Sequence, residues 1–528
     1  AYGITYTKGS LYKYFDHTMN QNTQATLNIA PKKFNDLTVR GKLSYLFEDK
    51  HYESFDVYSS QFAVRDLPTM ENFTTIRDAG SQTQDIRARN YFGILSLDYK
   101  DRYLLDAMYR YDGSSLFGSE AKWAGYYRIS GAYRISEDIK IPGVDEMKLR
   151  VAHGTAGLRP GFNWQYETYN LSNGVTSPGQ KGNKNLKPSQ TAETEIGIDV
   201  DFLKKFNLQV NYAKSTTTNQ FLNVPLIPFV NDGFTSQYQN AGTVESNTLE
   251  ITLGANWVKT KNFSWNTNVV FSKTNQTITE LPIAPYQSGP DGLFYIKKGE
   301  TYGAIYGYSW VRSLDQMSKQ LPAGKTIADY EVNNDGYVIP KGSRGTLNEK
   351  PVKLNDANGA LAFVKIGNGL PNFNMGITNN LTYKNFTFYF LVDIKNGGDV
   401  YNRKSQWLTR DSRNGIMDMA GRATADKKAY DYYQAFYDVN TNNSYWVEDA
   451  SYVKLRELAI GYTVKGASLP GLSKVVKSMN ARIIGRNLLT LTKYSGYDPE
   501  VGSIRSPYDD TGNYPNYRNV AFSLSFDF

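Results

Sequence analysis

The last ten residues, NVAFSLSFDF, alternate strictly. Val520, Phe522, Leu524, Phe526 and Phe528 share one parity, and Asn519, Ala521, Ser523, Ser525 and Asp527 share the other. A period of two marks a β-strand with one apolar and one polar face. About ten residues is also the length a strand needs to cross a bilayer at a tilt. A strand of a soluble sandwich has the same period, so the rest of the chain must decide between the two.

The alternation recurs throughout. Tyr91, Gly93, Leu95, Leu97 and Tyr99 oppose Ser96 and Asp98, and after Lys100-Asp101-Arg102 the run Tyr103, Leu105, Ala107, Tyr109 and Tyr111 opposes Asp106, Arg110 and Asp112. This spacing predicts a tight hairpin. Ile196, Ile198, Val200 and Phe202 oppose Glu195, Asp199 and Asp201, and Leu249 to Trp257 repeats the pattern. Phe373 to Tyr383 pairs through YKNF with Phe386 to Ile394. About fifteen such strands are expected, with no amphipathic helix to cover a sheet. Short turns near residues 101, 204, 260 and 384 alternate with long excursions over 49–88, 156–192, 217–247, 273–371, 395–452 and 490–518. That asymmetry is typical of an outer-membrane barrel, whose periplasmic turns are short and whose outer loops are long. Strand parity requires 273–371 to hold zero or two strands, and YGAIYGYSWV within it is strand-like. The expected fold is all-β, a transmembrane antiparallel β-barrel. Tyr91, Leu95, Leu97, Phe388, Phe390, Leu524 and Phe526 should face lipid, with Asp106, Arg110, Glu195 and Asp527 pointing inward.

Composition changes this picture little but sharpens it. No run approaches eighteen apolar residues, so a helical span is excluded, whereas the 40% hydrophobic share suits strands with one wet face. Aromatics make up 14% of the chain, with 41 Tyr, a residue favoured where apolar and wet regions meet. A Tyr-rich β-sandwich is the competing reading. Cysteine is absent, which removes disulfides and thiol chemistry. The net charge of +8 is scattered rather than striped, which argues against nucleic acid. The chain starts in strand-like sequence and reads as the C-terminal part of a longer protein.

Catalytic motifs fail on inspection. His17, His51 and His153 lie far apart, Lys319 stands where a phosphate loop ending Gly324-Lys325-Thr326 needs glycine, and Asn372 spoils a dinucleotide fingerprint. No enzyme is expected. In EVNNDG, Glu331, Asn333 and Asp335 follow the spacing of a calcium loop, but its twelfth position is Gly342, and an Asn-Asp-Gly turn explains the same residues. Calcium is therefore the one cofactor considered. Asp106, Arg110, Arg128, Glu195 and Asp199 are candidates to line a substrate path, or else to pair across a packed lumen. Trp164, Tyr166, Trp310, Trp407, Tyr445 and Trp446 lie in the long loops, as candidates to touch cargo or a partner.

Several stretches resemble SusC/RagA-type TonB-dependent outer-membrane transporters: YFGILSLDYKDRYLLDAMYRYDGSSLFG, NAGTVESNTLEITL, IGNGLPNFNMGITNNLTYKNF, VEDASYVKLRELAIGYTV and GRNLLTLTKYSGYDPEV. They occur in family order over nearly the whole chain. The resemblance implies a barrel of about 22 strands in the outer membrane of Bacteroidota-type bacteria. An N-terminal plug would fill it, and a SusD-like lipoprotein would cap it. The plug, the segment that meets the TonB complex and the first strands, roughly six by subtraction, are expected to lie outside residues 1–528, and Glu331 departs from the Asp that often opens the family's calcium-like turn. The implied function is import of glycans or peptides, with outer-membrane lipid around the barrel and Phe526 and Phe528 as its assembly signal. The alternative is a structural or secretion-linked assembly barrel without import of its own.

Overall fold

A computed structural model describes residues 9–64, 67–172, 174–437, 442–468, 471, 475–502, 507–509, 514 and 516–528. Fifteen strands form one large sheet whose order follows the chain. They are β1 (Ser10–Phe34), β2 (Leu37–Phe62), β3 (Phe73–Tyr99), β4 (Tyr103–Ser114), β5 (Trp123–Arg134), β6 (Val144–Leu158), β7 (Ser189–Phe202) and β8 (Phe206–Thr218). They continue as β9 (Thr243–Lys259), β10 (Phe263–Glu280), β11 (Pro371–Tyr383), β12 (Phe386–Gly397), β13 (Tyr452–Lys465), β14 (Ser478–Thr492) and β15 (Asn519–Asp527). Among the described residues no helix is long and apolar enough to cross a membrane.

Connections after even-numbered strands include all the longest ones. Odd-numbered strands are followed by residues 35–36, 100–102, 135–143, 203–205, 260–262, 384–385 and 466–477; even-numbered strands by 63–72, 115–122, 159–188, 219–242, 281–370, 398–451 and 493–518. Two of the short turns rest on left-handed backbone at Lys100-Asp101 (φ 58° and 55°) and Leu203-Lys204 (φ 53° at both), the sign of φ that matches strand twist in tight hairpins. Neither pair contains the glycine or asparagine that usually announces such a turn.

One expectation needs correction, and one open count is settled. Residues 49–88 are not a long loop: β2 and β3 run through most of that span, paired from Leu37 opposite Tyr99 out to Phe62 opposite Phe73. Their hydrophobic pattern fades beyond Phe47 because Asp49, His51 and Glu53 replace apolar residues on the outer face, yet backbone pairing carries the ladder on. For 273–371 the count is zero, since β10 pairs directly with β11. The strand-like stretch near Tyr302 instead supplies Ala304–Gly307, part of a separate four-stranded sheet in the loop.

The chain packs as two units, Ala1–Tyr133 with Val151–Thr194 and Thr216–Gly242, and Arg134–Arg150 with Glu195–Ser215 and Thr243–Phe528. In the first unit, register aligns the apolar parity of neighbouring strands: Leu43 opposite Gly93, Gly93 opposite Tyr109, and Tyr109 opposite Tyr127. Aromatic rings bound this face at two levels. Near the turn, Tyr99, Tyr103 and Tyr133 follow one another at 6.3 and 4.9 Å. At the other end, Tyr45 meets Tyr91 at 5.1 Å, and Tyr111 stacks on Trp123 at 5.1 Å. From Tyr91 to Tyr99 is about 27 Å along the strand, on the order of 20 Å in height at a barrel's tilt, which suits the apolar band of a bilayer. Since β1, β2 and β3 have 25, 26 and 27 residues, they project well beyond that band.

The second unit repeats the scheme. Phe386 meets Tyr462 at 4.6 Å beside the 384–385 turn, and the row Phe388, Ile460, Ile483 and Phe522 runs across four strands. Phe390, Leu524 and Phe526 share that face, as expected. Polar residues interrupt it where Asn379 stands opposite Thr267. Asn379 is buried between Leu381 and Ile377, and its carbonyl oxygen accepts from the Thr267 hydroxyl at 2.7 Å and the Trp265 indole at 2.9 Å. Satisfied in this way, it escapes most of the cost of a polar group removed from water.

Leu95 lies midway between the two tyrosine levels, while its neighbour Ile94 points to the opposite face. Leu95→Arg in the full-length protein should lower bilayer-folding stability by about 2–4 kcal/mol. Ile94→Arg should cost clearly less; urea unfolding from lipid vesicles measures both.

Candidate functional site

The polar face of the sheet carries short ion-pair ladders. In the first unit, the Ser96 hydroxyl donates to Asp106 across the strand pair, and Arg110 donates to Asp112 at 2.6 Å. Arg128, opposite Met108, is exposed and makes no ion pair among the described residues. In the second unit, Arg150 grips Asp199 with two bonds of 3.0 and 2.9 Å, reaches Asn211 at 2.8 Å, and lies 3.6 Å from Glu195. Lys148 adds a contact to Asp199 at 3.2 Å. Asp106, Arg110, Glu195 and Asp199 are thus engaged with neighbours in the sheet.

A denser cluster forms where β12 and β13 meet the 493–518 connection. Against β12, Leu391 pairs with Glu457 and Val392 with Leu455, which leaves Arg456 as an extra residue in its strand, a β-bulge that re-aims its side chain. Arg456 donates to Asp393 at 2.8 Å and to Glu500 at 2.7 Å, and Lys454 pairs with Asp498 at 2.7 Å and also with Glu500. Burial opposes ionisation of Glu500, but bonds from Arg456 and Lys454 outweigh it and carry the pKa down to about 2. Beside them, Lys395, Asp399, Tyr452, Glu500 and Asn374 line a cavity of about 200 Å³. Asp399 is held above the usual carboxylate range by burial, against a 2.8 Å bond from the Asn368 backbone N–H. No sequence signal marked this cleft, because its residues come from four separate segments.

The loops 281–370 and 398–451 share one hydrophobic core, and this corrects the reading of their aromatics as surface contacts. Trp446 is 2% exposed and Trp310 4%, packed with Tyr337, Phe436 and Tyr432. The Trp446 indole donates to the Phe436 carbonyl at 2.9 Å, and Tyr445 stacks on Phe436 at 3.9 Å. Burial raises the Tyr445 pKa. Trp407, on the helix Arg403–Arg410, has the Arg403 and Arg410 guanidinium groups each 5.8 Å from its ring. In the first unit, Trp164 stacks on Tyr238 at 3.8 Å, and only Tyr166 of the six named aromatics is openly exposed.

The calcium-like stretch is occupied by protein partners. Glu331 accepts from the Gly342 N–H at 3.0 Å, and Asn333 accepts from the Tyr337 N–H at 2.9 Å while donating to Glu349 at 2.9 Å. Asp335 accepts from the Tyr432 hydroxyl at 2.6 Å. The cation beside these acids is Lys428, bonded to Glu349 and 3.6 Å from Asp335. The three residues serve different contacts, and among the described residues no group of His, Asp or Glu converges as metal ligands.

Apolar residues do reach the surface at two loop tips of the first unit. The hairpin strands Tyr169–Ser172 and Val175–Pro178 present Leu171 and Val175, and the turn after Pro225 presents Ile227, Val230 and Phe229, which is 95% exposed. Tyr169 packs edge-on against Phe234 at 5.6 Å, which joins the two tips. The run PLIPFV inside a loop was the available signal.

A strand meander with lipid-compatible rings at two levels, a charged inner face and folded loops at one end describes an outer-membrane barrel. Residues 2–487 match the family described as "TonB dependent receptor-like, beta-barrel", and the chain belongs to it. Within that family it is similar to receptors of the SusC/RagA type. It is similar to TonB-dependent receptor P39 of Formosa agariphila, with 27% identity over all of this chain and 57% of the relative. It is also similar to TonB-dependent receptor SusC of Bacteroides thetaiotaomicron, with 24% identity over 83% of this chain and 43% of the relative. Among solved structures, that of the RagAB peptide transporter superposes with a TM-score of 0.75 at 17% identity, over 98% of this chain and 56% of that one. The chain spans about half the length of the relatives it matches.

Two outcomes follow from these contacts. Lys428→Met strands the buried Glu349 carboxylate, so the loop core should lose about 3–5 kcal/mol, seen as faster amide exchange over 398–437. Glu349→Met added to it should recover most of that loss. Glu500 has a folded pKa below its unfolded value of about 4.3, so its contribution holds above that pH and fades as pH falls toward 2. Exchange in the 475–502 segment should rise over this window in the wild type, and Glu500→Gln should flatten the dependence.

Proposed function

We propose that the chain forms the barrel part of a TonB-dependent importer of bulky nutrients, glycans or peptides, that works with a SusD-like surface lipoprotein. The apolar patch of Leu171, Val175, Ile227, Phe229 and Val230 carries the partner half of this reading. A nearly fully exposed Phe in a cluster of exposed aliphatics is the kind of surface that protein interfaces cover. The buried Trp310 and Trp446 hold the loops in one shape, so the docking role moves from them to these tips. Family membership supports import energised through TonB. The paired charges on the inner face, with the cleft around Lys395 and Asp399, would line the cargo path. Phe526 and Phe528 would serve as the assembly signal.

The test uses the full-length receptor in its own host. Leu171→Ser with Phe229→Ser should weaken co-purification of the lipoprotein by about tenfold or more, as for loss of interface anchors, and should slow growth on the cargo. Heat-modifiable migration on gels should stay normal, since no strand is altered. Unchanged lipoprotein capture would move the docking surface elsewhere. Unchanged growth after deletion of the whole gene, on every glycan and peptide source tried, would favour an assembly barrel without import.

A further inference from the structure

Two cavities adjoin on the apolar side of β1 to β5, and they differ in chemistry. The larger, about 740 Å³, is lined by Leu27, Leu43, Gly93, Tyr91, Tyr109 and Tyr111. All six share the apolar parity: Leu27 pairs with Leu43, Leu43 with Gly93, and Gly93 with Tyr109. Gly93 makes the depression. A Cβ there would lie 3.2 Å from the nearest Leu43 methyl, so any larger side chain would fill the space between Leu43 and Tyr109.

The second cavity, about 400 Å³, starts one step further along the same strands, past Tyr91 and Tyr111. Arg87, Arg89, Lys122, Gly113 and Trp123 line it, and Tyr166 closes one side. Register sets Arg89 opposite Gly113 and Gly113 opposite Trp123, so the cations follow the tyrosine level on the same face. The acids nearest in register are engaged: Asp49 with Arg87 at 3.3 Å, and Asp85 with His51 at 2.8 Å. Glu120 is exposed and lies outside the cavity lining. Arg89 and Lys122 make no ion pair among the described residues. This end of the strands leads into the 115–122 connection, away from the short 100–102 turn, which is the outer-leaflet side in barrels of this kind.

We infer that the paired cavities hold a phosphate-bearing lipid of the outer leaflet. Its phosphate sits between Arg89 and Lys122, and an acyl chain lies over Gly93. The cations stand at headgroup level, just beyond the rings that mark the interface, and a guanidinium fork suits phosphate oxygens. A soluble phosphate would use the cations alone. The apolar groove directly below them selects a ligand with a chain attached.

The probe is dioleoyl phosphatidic acid, added to the full-length protein in a neutral maltoside detergent, with retained lipid counted by native mass spectrometry. Wild type should retain it well above dioleoyl phosphatidylcholine. Arg89→Gln with Lys122→Gln should lower retention about tenfold, as for loss of charge-assisted contacts, and Gly93→Leu should lower it while leaving both cations in place. Arg89→Lys should keep part of it. Heat-modifiable migration verifies that each variant is folded, and the double variant alone suffices if Gly93→Leu does not assemble. Equal retention by the double variant and wild type overturns the proposal. So does displacement by excess inorganic phosphate alone, which would make this a simple anion site.

Discussion

Backbone hydrogen bonding in hydrocarbon governs this chain. Each unsatisfied N–H or C=O inside a bilayer costs several kcal/mol, so a segment that crosses as a strand must pair on both edges with other strands. Pairing in chain order, with each strand bonded to the next, meets that demand with the least loop. It also fixes everything else about the strands. Once neighbours are in register, a single parity on each strand must face lipid, and Tyr45, Tyr91, Tyr111 and Trp123 come together because the ladder puts them there. Asn379 shows how strict the rule is. A polar side chain on the apolar face survives only with partners from the adjacent strand.

The connections answer to a different force. Outside the bilayer they have water for their backbone, and the long ones must find their own reason to be ordered. The loops 281–370 and 398–451 find it in a core of rings, Trp310, Tyr337, Phe436 and Trp446, backed by the enclosed Lys428–Glu349 pair. A buried pair is weak evidence for net stability, but it penalises any arrangement that separates its partners. It therefore selects one packing of the loops over others.

How much of this was legible follows from the range of the interactions. The hairpins around residues 101 and 384 could be read because alternation and turn lie within about twenty residues of sequence, where period is the dominant signal. The outer halves of β2 and β3 could not. Glu53 opposite Thr83 has no apolar pattern, and only the ladder already formed below extends the strands there. The burial of Trp446 was hidden for a similar reason, since the rings covering it come from both loops. The calcium-like spacing of Glu331, Asn333 and Asp335 left two readings open because sequence could not show Lys428 arriving beside Asp335. The glycine-free turn at Leu203-Lys204 was legible only from the strands on either side of it.

The two kinds of ion pair complete the division of labour. Arg150 with Asp199 lies on a partly exposed face, where such a pair is worth about 0–1 kcal/mol, so the inner wall gains little stability from its charges. That makes the wall permissive. Its side chains can exchange partners at small cost, because water replaces what is given up. Lys428 and Glu349 lack that freedom, since nothing replaces either partner in their enclosed site. Loose charges on the polar face of the sheet and locked charges in the loops therefore follow from one variable, access to water. The same variable separates the free cations Arg89 and Lys122, at the edge of the lipid face, from both.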